Sequence, residues 1–124
     1  MASKQVRVWV VDDQASFRMA SAATLDATAG FVLAGQSASG EAALHSLDQA
    51  DVDLVLMDIH MPGIGGIEAA RRIHARHPHL VIVLMSTYDA DELPGDATAC
   101  GAATYIHKQR LCPEVLSRIW AVAS

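Results

Sequence analysis

The sequence has few cysteines, no long apolar run and no excess of positive charge, and each absence excludes a class of protein. Two cysteines among 124 residues cannot build a disulfide framework or a four-cysteine zinc site. The longest apolar run, residues 80–85, has six residues, whereas a membrane helix needs roughly 20. The net charge of −5 argues against this chain itself gripping nucleic acid, which requires a basic face.

The sequence also shows no pattern typical of a targeting segment, a repeat or a linker. Residues 1–5 contain no apolar segment of the kind found in signal peptides, and no internal repeat or low-complexity tract follows. We therefore expect a cytoplasmic protein that makes no contact with a membrane. The length is typical of one domain spanning residues 1–124, large enough to bury a core without disulfides.

Five short apolar segments predict five β-strands. The segments are near-continuous in apolar residues rather than alternating, which is typical of parallel strands that helices cover on both faces. Residues between these segments carry helix signals, so strands and helices alternate along the chain. This order predicts a (βα)5 domain of the doubly wound α/β class. The predicted strands are residues 6–11, 31–35, 52–57, 80–85 and 104–107.

The predicted helices differ in the strength of their signals. Pro78 should end the third helix, because the residue before a proline is pushed out of the α region. Pro113 suits the first position of the last helix, whereas Pro94 and Gly95 predict a shortened fourth helix beginning near Pro94, or an irregular segment. The expected apolar stripes are Phe17, Ala20, Leu25 and Ala29 within 15–29, then Ala43, Leu44 and Leu47, and then Ile67, Ala70 and Ile73 within 66–77.

Polar residues follow four of the five predicted strands. Asp12 and Asp13 follow the first strand, Asp58 the third, Ser86 the fourth and Lys108 the fifth. Ligands of open α/β sheets bind at the carboxyl ends of the strands, so these side chains should form one site.

The chemistry of this set favours a cation and a phosphoryl group. Converging carboxylates repel one another unless a cation or a proton intervenes, and hard oxygen ligands suit Mg²⁺. Lys108 offers a compact positive charge for a phosphoryl oxygen, and Ser86 offers a hydroxyl donor. An aspartate can itself act as a nucleophile and form an acyl phosphate.

Four short motifs occur at these strand ends in a specific order. They are Asp12-Asp13, Asp58-Ile59-His60-Met61-Pro62-Gly63, Ser86 and Tyr105-Ile106-His107-Lys108. With these motifs and the gaps between them, essentially the whole chain resembles a receiver domain of a two-component response regulator. The resemblance implies a flavodoxin-like, five-stranded parallel sheet in the order 2-1-3-4-5.

The resemblance also implies a role for each of these residues. Asp58 would accept a phosphoryl group from the phosphohistidine of a sensor histidine kinase, attacking in line while Lys108 and the cation spread the charge. Mg²⁺, or Mn²⁺ in its place, would be held by Asp12, Asp13, Asp58 and the backbone carbonyl of His60. Ser86 would contact the phosphoryl group, and Ser86 with Tyr105 would form the conformational switch. Such a domain is not an enzyme in the ordinary sense, but it supports its own phosphorylation and dephosphorylation.

Further motifs resemble the NarL/FixJ-type receivers, which are followed by a LuxR-type helix-turn-helix domain. These motifs are residues 11–14 with Phe17-Arg18, residues 38–42 and residues 86–89. We therefore expect a receiver of a transcriptional regulator that would contact DNA only through an effector domain absent from this chain. The alternative is a stand-alone receiver. The sequence does not decide whether phosphorylation produces a homodimer.

Two other functions compete with this interpretation. The strand ending at Asp58 also resembles the nucleophile strand of aspartyl phosphatases, but those enzymes have a second aspartate two residues later, where this chain has His60. The third interpretation is a receiver-fold binding module that works without phosphorylation.

Two further features have ordinary explanations. The side chain of Tyr105 could simply pack near a strand end. The spacing of His74, His77 and His79 indicates a solvated helix end rather than a zinc site.

Overall fold

The computed structural model describes residues 5–87 and 95–123, apart from the side chains of residues 96 and 98. Five strands form one sheet in the order β2-β1-β3-β4-β5, and all four strand pairings are parallel. The predicted sheet and its order are therefore confirmed. The strands are β1 Val6–Val11, β2 Phe31–Ser37, β3 Leu54–Asp58, β4 Val81–Ser86 and β5 Thr104–His107.

Helices cover both faces of this sheet. The helices α2 (Gly40–Leu47) and α3 (Gly65–Arg76) bury apolar side chains in one cluster, and α1 (Ala15–Asp26) and α4 (Pro113–Ala123) contribute to the other. The side chain of Ser39 caps α2 by accepting a hydrogen bond of 3.1 Å from the N–H of Ala42. The described part of the chain thus has the predicted doubly wound architecture. In that part, no helix is long and apolar enough to cross a bilayer.

The apolar stripe predicted for the first helix is partly wrong. Ala20 and Ala29 are exposed, and Ala29 lies beyond the end of α1 at Asp26. The buried residues of α1 are Ser21 and Leu25, which are four positions apart and therefore share one face. Ala20 precedes Ser21 by one residue, about 100° around the helix, so it points away from the sheet. The stripes predicted for α2 and α3 are confirmed.

The fourth βα unit is described only in part. Residues 88–94, with Pro94 among them, lie outside the described part of the chain, so the start predicted there is not tested. The described residues that follow form one turn of 3₁₀ helix, Gly95–Thr98. The described ranges therefore contain four α-helices, and the unit between β4 and β5 ends in a short turn. Gly95 disfavours an α-helix by about 1 kcal/mol relative to alanine.

The central strand β3 determines where the candidate functional site lies. All five of its residues are buried, because it has neighbours on both sides and helices on both faces. Its side chains alternate between the two apolar clusters, Val55 and Met57 on one side and Leu54 and Leu56 on the other. Asp58 is the last residue of this strand, so a well-packed strand carries the central carboxylate.

Candidate functional site

Three carboxylates meet at the carboxyl ends of β1 and β3. These strands are parallel neighbours with Val11 opposite Met57, which sets the following residues, Asp12 and Asp58, side by side. Asp13 joins them, and one carboxylate oxygen from each of the three residues lies within 4.8 Å of the others. The side chains of Asp12 and Asp58 are buried, whereas Asp13 is exposed to solvent.

Backbone and side-chain donors fix the orientation of Asp12. Its N–H donates to the carbonyl of Ser37 at 3.1 Å, and its Oδ1 accepts from the N–H of Gln14 at 2.9 Å. Arg18 donates from Nη1 to the backbone carbonyl of Asp12 at 2.6 Å, and from Nε to Gln36 at 3.0 Å. A residue of α1 and a residue of β2 therefore hold the loop that presents the first carboxylate.

Lys108 supplies positive charge to this cluster. Its Nζ lies 2.7 Å from Asp12 Oδ2 and 3.5 Å from Asp58 Oδ1, with 9% of the side chain exposed. Within the described residues, Asp12 Oδ2 is a buried oxygen that accepts no hydrogen bond, so its contact with Lys108 is an ion pair. The same ammonium lies 4.4 Å from the centroid of the Phe17 ring.

The electrostatics of the cluster act most strongly on Asp58. Burial raises the pKa of Asp58 from 3.8 to about 6, and the negative charge of Asp12 adds to the increase. Lys108 and the N–H of His60, which donates to Asp58 Oδ1 at 3.3 Å, lower the pKa but do not cancel the increase. One ammonium therefore does not fully compensate the buried negative charge.

This donor set fits a divalent cation of the Mg²⁺ type. Mg²⁺ takes oxygen ligands, usually one or two carboxylates, and keeps several waters. The site offers three carboxylates, one of them open to solvent, and a buried Asp12 oxygen that no hydrogen bond satisfies. Among the described residues, this is the one group of three or more histidine, cysteine or acidic side chains that could hold a metal.

The other predicted site residues lie on or near the same edge. Ser86 is fully buried at the end of β4, and the register of β4 and β5 places it opposite His107. Tyr105 is half-buried and lies opposite Leu84, so Tyr105 and Ser86 share a face of the sheet, two residues apart along it. Tyr105 packs against the apolar cluster on the α2 and α3 side. This contact is what ordinary core packing predicts, as well as a switch role.

Two predictions concern histidines. The side chain of His60 is exposed, consistent with a loop residue that contributes only its backbone, although its carbonyl remains a predicted ligand. His77 contacts Asp48 at 2.9 Å between Nε2 and Oδ1, and the histidines around α3 form no metal cluster within the described residues.

Sequence reasoning missed several residues that touch the site. It treated Phe17 as core and Arg18 as part of a subfamily motif, yet they contact Lys108 and Asp12. His107, which belongs to one of the predicted motifs, makes a contact that sequence reasoning did not predict, with its Nε2 2.8 Å from the carbonyl oxygen of Thr87. The contact of Phe17 with Lys108 joins residues far apart in the chain, and the contact of Arg18 with Asp12 ends on a backbone carbonyl, so spacing along the sequence carries no signal for either.

Comparison with known proteins agrees with this geometry. The family model described as the response regulator receiver domain matches residues 8–119. The chain is 36% identical to response regulator GacA of Pseudomonas viridiflava over 114 residues, which are 92% of this chain and 53% of that protein. It is 34% identical to response regulator UvrY of Escherichia coli K12 over 119 residues, which are 96% of this chain and 55% of that protein. The chain thus spans about half the length of the curated relatives it matches.

A solved structure supports both the family and the predicted subtype. The signal receiver domain of NarL from Mycobacterium tuberculosis superimposes with a TM-score of 0.85 at 26% identity, covering 98% of each chain. The predicted resemblance to NarL-type receivers is therefore confirmed, and the phosphatase alternative is not favoured. The chain belongs to the receiver domains of two-component response regulators.

Proposed function

We propose that Asp58 is the phosphoacceptor of this receiver and takes its phosphoryl group from the phosphohistidine of a sensor histidine kinase. The observation that supports the proposal most directly is the position of this carboxylate. It lies at the end of a wholly buried strand, beside two further carboxylates and 3.5 Å from the ammonium of Lys108. An aspartate in such a place can act as a nucleophile.

The proposed step is an in-line displacement. A carboxylate oxygen of Asp58 attacks the phosphorus, a phosphorus–oxygen bond forms, and the phosphorus–nitrogen bond breaks with its electron pair passing to the departing imidazole. Lys108 neutralises part of the charge on the phosphoryl oxygens, and the buried position of its ammonium strengthens that interaction. The chain's own contribution is mainly positioning and charge compensation.

We assign the cation site to Asp12, Asp13, Asp58 and the backbone carbonyl of His60. A bound Mg²⁺ or Mn²⁺ would supply charge neutralisation at the phosphoryl oxygens. Within this assignment Arg18 holds the carbonyl of Asp12, and the N–H of Gln14 holds its Oδ1. These contacts fix the backbone and one carboxylate oxygen of Asp12 beside Asp58.

The proposed output runs through Ser86 and Tyr105. Ser86 is buried beside the site, and Tyr105 lies on the adjacent strand on the same face, so a new dianion at Asp58 can bias both side chains. A 31% identical relative from Bacillus subtilis, which this chain covers to 56% of its length, is called a transcriptional regulatory protein. We therefore propose that residues 1–124 are the receiver of a cytoplasmic transcription regulator, with a separate effector domain for DNA.

The test is labelling with acetyl phosphate followed by intact-mass measurement. We expect the wild-type protein with Mg²⁺ to gain the mass of one phosphoryl group, and Asp58→Asn to gain none. Asp26→Asn, which alters an exposed carboxylate at the end of α1, is the matched control and should be labelled like wild type. Equal labelling of Asp58→Asn, or no labelling of wild type, would contradict the proposal. Hydrolysis of p-nitrophenyl phosphate with steady turnover would favour a phosphatase instead.

A further inference from the structure

The ammonium of Lys108 has a third neighbour besides the two carboxylates. It lies 4.4 Å from the centroid of the Phe17 ring, well inside the roughly 6 Å at which a cation and an aromatic face attract. The Lys108 side chain is 9% exposed, so little water competes with these neighbours. The ring is therefore one of three close neighbours recorded for this charge, together with the two carboxylates.

The first turn of α1 sets the position of Phe17. The N–H of Phe17 donates to the carbonyl of Gln14 at 3.1 Å, and the half-buried ring packs against the apolar cluster that α1 shares with α4. Phe17 therefore has one side on the core and another against Lys108. The core contact needs only an apolar side chain, whereas the Lys108 contact uses the aromatic face.

The two carboxylates alone do not fix the position of the Lys108 ammonium. Lys108 lies 0.8 Å closer to Asp12 Oδ2, at 2.7 Å, than to Asp58 Oδ1, at 3.5 Å. Its carbon chain carries several rotatable bonds, so the carboxylates alone leave the ammonium free to move towards solvent. The Phe17 ring limits this freedom and attracts the charge without taking part in the hydrogen bonding.

We propose that Phe17 is a positioning residue whose aromatic face holds the Lys108 ammonium over the Asp12–Asp58 pair. This inference rests on the proposed role of Asp58 as phosphoacceptor. Phe17 does not touch the reacting atoms and acts through Lys108 alone. A Phe17→Leu variant keeps the apolar packing but loses the ring, and a Phe17→Tyr variant keeps both.

The experiment compares the rate of acetyl phosphate labelling in wild type, Phe17→Leu and Phe17→Tyr. Because a cation–aromatic contact at a desolvated site is worth a factor of up to about thirty, we expect Phe17→Leu to be slower by about three- to thirtyfold and Phe17→Tyr to retain the wild-type rate. Met19→Leu is the control, since Met19 lies on the same helix and is 73% exposed, and it should be labelled like wild type.

A second measurement tests the contact without phosphorylation. We expect the ring current of Phe17 to shift the NMR resonances of the Lys108 ε-methylene protons upfield, and this shift should disappear in Phe17→Leu and persist in Phe17→Tyr. If Phe17 had a purely structural role, labelling of Phe17→Leu and Phe17→Tyr would slow in proportion to their loss of thermal stability. The difference between the leucine and tyrosine variants in rate and ring shift would then be absent. Wild-type labelling rates in Phe17→Leu, equal slowing in Phe17→Leu and Phe17→Tyr, or an unshifted Lys108 resonance in wild type would each overturn the inference. If wild type is not labelled at Asp58 at all, the proposed function fails first, and a normal ring shift would show that the contact itself is not at fault.

Discussion

Replacing Asp58 with asparagine should stabilise the cation-free protein, although it removes the proposed phosphoacceptor. Asp58 is 3% exposed and lies beside the buried carboxylate of Asp12. Its charge is therefore unfavourable in the folded state, and Lys108 compensates for it only in part. An asparagine of similar shape removes that charge and keeps an oxygen for the N–H of His60, which donates to Asp58 at 3.3 Å.

The pKa of Asp58 sets the size of the effect. A rise from 3.8 to about 6 corresponds to about 3 kcal/mol at 1.36 kcal/mol per pKa unit. The buried amide of asparagine forfeits part of this gain, so we expect the free energy of unfolding to increase by about 1 to 3 kcal/mol at pH 7.5. For a domain of this size, each kcal/mol raises the Tm by roughly 3 to 5 °C.

The pH dependence follows from the direction of the same pKa. Because folding raises the pKa, the native state binds the proton of Asp58 more tightly than the unfolded state does. The advantage of Asp58→Asn should therefore be complete above about pH 7, should shrink as the pH falls through 6 and then through 4, and should vanish below about pH 3, where the wild-type carboxyl is protonated in both states.

The assay is thermal or urea unfolding in buffer containing a chelator, repeated with excess Mg²⁺. Asp26→Asn, an exposed carboxylate of α1, is the control and should change stability by less than about 0.5 kcal/mol. With Mg²⁺, the wild type should gain stability through binding and Asp58→Asn should gain less. A less stable Asp58→Asn in chelator, or a difference that does not change with pH, would refute the account of buried charge.

Two further substitutions test how the backbone presents the site. In Gly66→Ala, the new Cβ would lie 1.9 Å from the backbone carbonyl oxygen of Asp58, so we expect a loss of about 1 to 3 kcal/mol of stability and slower acetyl phosphate labelling. Gly95→Ala, whose Cβ would meet no atom of the described residues within 4 Å, should lose no stability and should be labelled like wild type. Arg18→Met removes the 2.6 Å hydrogen bond to the carbonyl of Asp12, and calorimetry should show weaker Mg²⁺ binding; unchanged affinity would mean that Arg18 does not hold that loop.

The location of the site could be predicted from the sequence because it follows from topology. In a parallel sheet every carboxyl end faces the same edge, so a polar residue after each of several strands is enough to identify a common site. Asp12, Asp13, Asp58 and Lys108 indeed meet there, and Ser86 ends β4 at the same edge. The assignment of helices succeeded where Pro78 and Pro113 marked an end and a start.

The details that failed depend on packing across distant parts of the chain. Ala20 was expected inside because a small apolar residue satisfies a helical stripe as well as a large one, and only the angle of α1 on the sheet shows that it is exposed. The approach of Phe17 to Lys108 joins residues 91 positions apart. The preference of Lys108 for Asp12 over Asp58 is a difference of 0.8 Å between 2.7 and 3.5 Å, which no spacing rule encodes.

The central claim is that Asp58, and no other carboxylate of the cluster, carries the phosphoryl group. Borohydride reduces an aspartyl phosphate to homoserine, so peptide mapping after acetyl phosphate, Mg²⁺ and borohydride identifies the labelled residue. We predict homoserine at position 58, and aspartate unchanged at positions 12 and 13. Homoserine at Asp12 or Asp13, or at none of the three positions, would contradict the account.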